Sequence, residues 1–191
     1  MKFLFGNKEQ QNKLLMRIKL AALFILMAGM LWAQEKLPVD PETGRIQYRD
    51  VVEQEGTKQQ LFNSCVYWLN DFYKDPVRIT SLRDVETGKI VGKHQFRIYY
   101  MDKDGNKIAA GMIGYDFTIE LKQDRYRYTL NNFLFKSTTR QPVVKWMNKK
   151  DPAYDIRWDE YLDQVDKYAR DWIALLKEKM KPAPEKKPDE W

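Results

Sequence analysis

The chain has 191 residues, with 33 Lys and Arg against 27 Asp and Glu, one His and one Cys, enough for one domain of ordinary size with a leader and a tail. Five of those bases and one acid precede Gln34, so the remainder holds 28 against 26, a net of +2, and lacks the basic excess that marks a nucleic-acid-binding domain. The single cysteine, Cys65, excludes an intramolecular disulfide, so packing must stabilise the fold.

The stretch "MRIKLAALFILMAGMLWAQ" places Arg17 and Lys19 before the apolar run Leu20 to Trp32 and ends it at the small residue Ala33. This is the pattern of a secretory signal peptide over residues 1–33, with Met16 as an alternative start and a mature terminus at Gln34. Thirteen apolar residues fall short of the roughly 20 that a spanning helix needs, so no stable membrane insertion is expected after cleavage. No cysteine follows the run to carry a lipid, and the expected compartment is periplasmic or secreted.

After the leader, "RIQYRDVVE" alternates Ile46, Tyr48 and Val52 on one side, interrupted by Asp50, and predicts a strand. In the next segment Thr57 and Gln60 have capping-box spacing, and Leu61, Cys65, Trp68, Leu69 and Phe72 recur at helical spacing until Asp75-Pro76 stops the helix. From Val77 to Phe135 the period becomes two, predicting four strands joined at Gly88, at "DKDGN" and at Gln123-Asp124. A two-residue hairpin at the last joint pairs Lys122 with Arg125, Leu121 with Tyr126, Glu120 with Arg127, Ile119 with Tyr128, Thr118 with Thr129 and Phe117 with Leu130. A one-residue slip would bury the charges, so the register is well specified. The strand "VRITSLRD" alternates poorly and its faces stay unassigned.

"STTRQPVVKWMNKKDPAYD" reads as a long loop. A second helix follows from about Ile156 to Met180, with Trp158, Leu162, Val165, Ala169, Trp172 and Leu176 on one stripe. Asp163 with Lys167 and Asp166 with Arg170 have i,i+4 spacing on its wet side. Residues 181–191, "KPAPEKKPDEW", read as an extended, disordered tail. "DPETGRI" and "DVETGKI" are read as the same turn used twice rather than as an internal duplication.

Strand, helix, four strands, helix, each with one apolar side, predict an α+β domain over residues 37–180. It is a two-layer sandwich, β-α-β-β-β-β-α, with a five-stranded antiparallel sheet and both helices on one face. The leader, "LPVDPETGRIQY", "VYWLNDFY", "GKIVGK" and "YDFTIELKQDRYRYTLNNF" together resemble a bacterial family of exported domains of unknown function described as having a TATA-box-binding-protein-like fold. The resemblance implies that the first strand pairs with the last. It implies no activity, cofactor or catalytic residue.

His94 and Cys65 are the one candidate thiolate–base pair. Strand parity puts His94 beside Ile90, Phe96 and Ile98, and Cys65 sits on an apolar stripe, so both are expected inside the sandwich as core residues. Asp102, Asp104 and Asn106 supply oxygens at alternate positions as calcium loops do, but the later Glu is missing and turn chemistry accounts for them. Asp159, Asp163 and Asp166 read as ion-pairing residues on a wet helix face. No metal, cofactor or catalytic residue is expected.

The open face of the sheet remains. Arg49 is placed there from the first strand, Lys93, Gln95, Arg97 and Tyr99 from the third, Asp116, Thr118 and Glu120 from the fourth, and Arg125, Arg127, Thr129 and Asn131 from the fifth. A solvated face of an antiparallel sheet looks like this too. The binding reading takes Arg49, Arg97 and Arg127 as anchors and Tyr99 as a stacking group, with Glu120 and Thr129 beside them. It makes the protein a non-enzymatic interaction module of a Gram-negative cell envelope, with an envelope protein or a polar or acidic ligand as partner. The rival readings are a nucleic-acid-binding module, by analogy of fold alone, and a Cys/His enzyme.

Overall fold

The computed structural model describes residues 37–137 and 140–181. The expected leader and its cleavage point, and all but Lys181 of the expected tail, lie outside the described residues. Every described residue belongs to the unit that starts at Leu37.

The first strand, β1, spans Tyr48–Glu53, and α1 spans Lys58–Phe72. The capping box forms as spaced: the Thr57 hydroxyl accepts from the Gln60 amide at 3.2 Å and the Gln60 side chain accepts from the Thr57 amide at 2.8 Å. Helix α1 buries Leu61, Phe62, Cys65, Trp68 and Leu69. Asp75-Pro76 does more than stop it. The Asp75 side chain caps a further short helix, α2, over Pro76–Ile79, with Pro76 in the first turn where its missing N–H is harmless. This explains the poor alternation of "VRITSLRD": its first three residues are helical, and only Thr80–Asp84 forms β2, with a bulge between Thr80 and Leu82.

Three long strands follow, β3 at Lys89–Met101, β4 at Lys107–Lys122 and β5 at Arg125–Lys136. The β4–β5 register from Lys122–Arg125 to Phe117–Leu130 matches the sequence reading pair for pair. Asp124 takes a positive φ of 56° in the turn, and its amide and carboxylate hold the carbonyl and amide of Gly56, each at 3.0 Å. Farther along, the register shifts between Gly114 and Asp116, and Asn132 turns to a φ of 54°, so that Phe133 follows Leu130 into the core. The two similar segments are indeed one turn used twice: Asp40 accepts from the amides of Glu42 and Thr43, and Asp84 from those of Glu86 and Thr87.

The segment after β5 is not the plain loop expected. Arg140–Pro142 form β6 and Val143–Met147 a 3-10 turn that buries Val143 and Trp146 completely. Helix α3, Arg157–Lys179, buries Leu162, Val165, Ala169, Trp172 and Leu176 on the expected stripe, with Trp158 half-buried at its start. Asp166 pairs with Arg170 at 2.8 Å as spaced, but Lys167 turns to Asp171, four residues on, rather than back to Asp163.

The fold is α+β, and the sheet order is β1-β5-β4-β3-β2, antiparallel throughout, with β6 beside β5 as a sixth strand beyond the five expected. Both long helices lie over one face. The rings of Trp68 from α1 and Trp172 from α3 meet edge to face at 4.9 Å. A chain of hydrogen bonds crosses this core: Trp172 Nε1 donates to the Tyr73 hydroxyl at 2.7 Å, which meets that of Tyr115 at 2.9 Å, which meets that of Tyr168 at 2.9 Å. These buried polar atoms satisfy one another and tie α3 to the end of α1 and to β4.

Candidate functional site: the sheet face left uncovered

On the covered side, Cys65 and His94 are not set up as a thiolate and its base. Cys65 is fully buried, and burial pushes its thiol far above the ordinary range, so it is not a thiolate at neutral pH. His94 is half-buried against the rings of Tyr73 and Tyr115, at 4.8 and 6.2 Å, and its Nδ1 has no hydrogen-bond partner. At "DKDGN" the Asp102 carboxylate is taken up by its own turn, accepting from the amides of Asp104 and Asn106 and from the Asn106 side chain.

Burial lowers the pKa of His94 below its ordinary 6.5. The neutral ring is favoured in the fold, so its contribution to stability is full above the unfolded value and is lost as the pH falls toward the folded one. Native stability should therefore decline as the pH drops below about 6.5. His94→Phe should flatten that part of the curve, and urea melts across a pH series measure it; an unchanged slope would place the titration elsewhere.

On the open face the six residues marked by the sequence fall into two groups. Arg49 is opposite Thr129, and the next row pairs Arg127 with Glu120. Arg127 Nε donates to Glu120 Oε2 at 2.7 Å, so this guanidinium is already committed to a carboxylate beside a hollow of about 260 Å³. Arg97 is opposite Met112, which is opposite Lys136. From Met112 to Glu120 β4 runs roughly 26 Å at the usual strand rise, so Arg97 and Arg127 cannot grip one small ligand together. Tyr99, near Arg97, has the Lys107 ammonium 4.2 Å from its ring centroid, which occupies one stacking face. Arg49 and Arg97 are exposed and have no charged partner among the described residues. The face is less purely polar than expected, since Val51 is half exposed on it, and Val91, Met112 and Leu134 share it by strand parity.

One basic grouping escaped the sequence reading. Lys74 and Arg78, from the end of α1 and from α2, line a cleft of about 710 Å³ together with Lys93, His94 and Lys136. Only the turn of the chain out of the sheet just before β2, into α2, brings these distant positions together.

An antiparallel sheet with helices on one side and a bare opposite face, and with its first strand beside its last long one, defines the TBP-like class of α+β domain. Residues 48–136, from β1 through β5, match the family described as "Domain of unknown function (DUF4468) with TBP-like fold", which bears out the resemblance read from the sequence. Among solved structures, the chain is similar to a TBP-like protein from Parabacteroides distasonis, with 16% identity and a TM-score of 0.62, over 78% of this chain and 99% of that one. It is similar also to a DUF4468 family protein from Bacteroides ovatus, with 14% identity and a TM-score of 0.63, over 81% and 95% of the two chains. At these identities the likeness is one of fold. No curated protein matches the chain.

Proposed function

We propose that the protein is an exported, non-enzymatic binding module of a Gram-negative cell envelope that holds a polar or acidic partner against the open face of its sheet. The observation that carries this reading is the pair of exposed guanidiniums, Arg49 and Arg97, with no charged partner among the described residues, on the face that neither long helix covers. A planar fork of donors with no partner of its own suits carboxylate or phosphate oxygens. The leader pattern of residues 1–33 supports export to the periplasm or beyond. Arg127, held by Glu120, shapes the face rather than anchoring a ligand.

The test is an Arg49→Ala, Arg97→Ala double variant. Neither side chain pairs with another charge among the described residues, so its stability should stay within about 0.5 kcal/mol of wild type, while the partners recovered by crosslinking in the intact envelope should be lost. A variant that folds and keeps every crosslink would show that this face is only solvated.

A further inference from the structure

The sheet loses a strand at Gly92. Thr80, the first residue of β2, pairs with Gly92, and the chain before it turns away as α2. A Cβ at position 92 would come within 2.3 Å of the Phe117 ring and 2.7 Å of the Ile79 carbonyl oxygen, so only glycine lets the chain leave the sheet there. From Lys93 onward β3 has β4 on one side and, among the described residues, no strand on the other.

The direction of the unpaired backbone follows from two fixed points. The Val91 carbonyl accepts from the Ser81 hydroxyl on the β2 side at 3.3 Å. At the other end Gln164 of α3 serves in place of a neighbouring strand: its Oε1 accepts from the Tyr99 amide at 3.0 Å and its Nε2 donates to the Tyr99 carbonyl at 2.8 Å. Positions 91 and 99 both face this edge, so by the two-residue period Lys93, Gln95 and Arg97 turn their N–H and C=O groups outward as well. The cleft described above opens beside this window. Lys74 and Arg78 line it from the helix side and Lys93 and Lys136 from the open side, with Asp75 as the one acid among its lining residues. Lys136 lies flat across Gly114, where a Cβ would meet its Cε at 2.5 Å, and so reaches Gln95 with its ammonium.

We propose that this edge takes up an extended acidic segment of a partner protein as an added strand. The partner's backbone would pair with Lys93, Gln95 and Arg97, and its carboxylates would meet Lys74 and Arg78 on one face and Lys93 and Lys136 on the other. Strand addition supplies backbone hydrogen bonds, and the flanking charges select the sequence. A free edge alone would admit any strand; four cations against Asp75 and against Asp116, which lies 3.8 Å from the exposed Lys93 ammonium, leave a basic excess suited to acidic residues on both faces. The proposal uses the Arg97 backbone but no side chain on which the open-face reading depends, so the two can fail separately.

The test uses the purified full chain and a fluorescent peptide of sequence TEEVEET, read by anisotropy. Saturable binding is expected, and the same peptide N-methylated at alternate amides should bind at least about tenfold more weakly, the equivalent of one or two net hydrogen bonds. Gln95→Pro removes an outward N–H on an edge strand, where proline is tolerated, together with the side chain that accepts from Lys136, and should weaken binding similarly. Gln95→Ala, which loses the side chain and keeps the N–H, should bind like wild type, whereas Lys74→Glu with Arg78→Glu should also weaken binding. If Gln95→Pro fails to fold, the two peptides compared on the wild-type chain decide the matter alone. The proposal is overturned if the wild type shows no saturable binding, in which case Lys93 and Arg97 merely keep the edge from pairing. It is overturned equally if the methylated peptide binds as well as its parent. Displacement of both peptides by dextran sulfate would then assign the cleft to polyanions without an amide backbone.

Discussion

Trp172→Ala should destabilise the domain by about 3 to 5 kcal/mol, the range for truncating a large aromatic in a packed interior. Trp172 is 1% exposed, meets Trp68 edge to face at 4.9 Å, and donates to the Tyr73 hydroxyl at 2.7 Å. The substitution therefore removes a large packed ring at the point where α1, α3 and the sheet converge, and takes one end off the hydrogen-bond chain that continues to Tyr115 and Tyr168. Against a typical total stability of about 5 to 15 kcal/mol, this is a large fraction of what holds the domain folded. Urea melts measure the effect. A midpoint within about 1 kcal/mol of wild type would mean that the two helices do not meet over the sheet.

Trp146→Ala should cost about as much, roughly 3 to 5 kcal/mol, although it lies in a segment whose sequence reads as a loop. Its ring is fully buried, with Phe135 at 5.1 Å and Tyr161 at 5.6 Å. The Trp146 Nε1 has no hydrogen-bond partner, so truncation orphans no other group and the loss is one of packing and cavity. Lys145→Ala, at the exposed neighbouring position, should change the melt by less than about 0.5 kcal/mol. Equal, small effects at both positions would return residues 140–147 to a solvated loop.

These two tryptophans divide what the sequence reveals from what it conceals. Trp172 sits on a stripe of Leu162, Val165, Ala169 and Leu176, and the helical period of that stripe is enough to place it in the core. The hairpin about Gln123-Asp124 is legible for a similar reason: only one register keeps every apolar residue opposite another and Glu120 opposite Arg127. Trp146 has no such support, since a five-residue 3-10 turn is too short to show a period, and its burial depends on Phe135 and Tyr161 arriving from elsewhere in the chain. Helix α2 is hidden likewise, because four residues after a proline look the same whether they extend or coil.

At the candidate site, strand parity is a local property, and it puts Arg49, Arg97, Tyr99, Glu120, Arg127 and Thr129 on one face. Parity says nothing of position along the strands. The length of β4 between Met112 and Glu120 is what parts Arg97 from Arg127, and the Arg127–Glu120 bond is what removes one of the three anchors. The edge cleft is out of the sequence's reach for a stronger reason. Lys74 and Lys136 come from opposite ends of the domain's middle, and only the exit of the chain at Gly92 makes them neighbours.

Site-specific photocrosslinking in the intact envelope tests most directly whether the sheet, rather than the helical side, is the working surface. A photoreactive amino acid would be placed in turn at Arg49 and Arg97 on the open face, and at Tyr67 and Leu175, which are exposed on α1 and α3. Discrete crosslinked products from positions 49 and 97, with none from 67 and 175, are the expected result. Products only from 67 or 175, or from no position, would contradict a binding role for the open face.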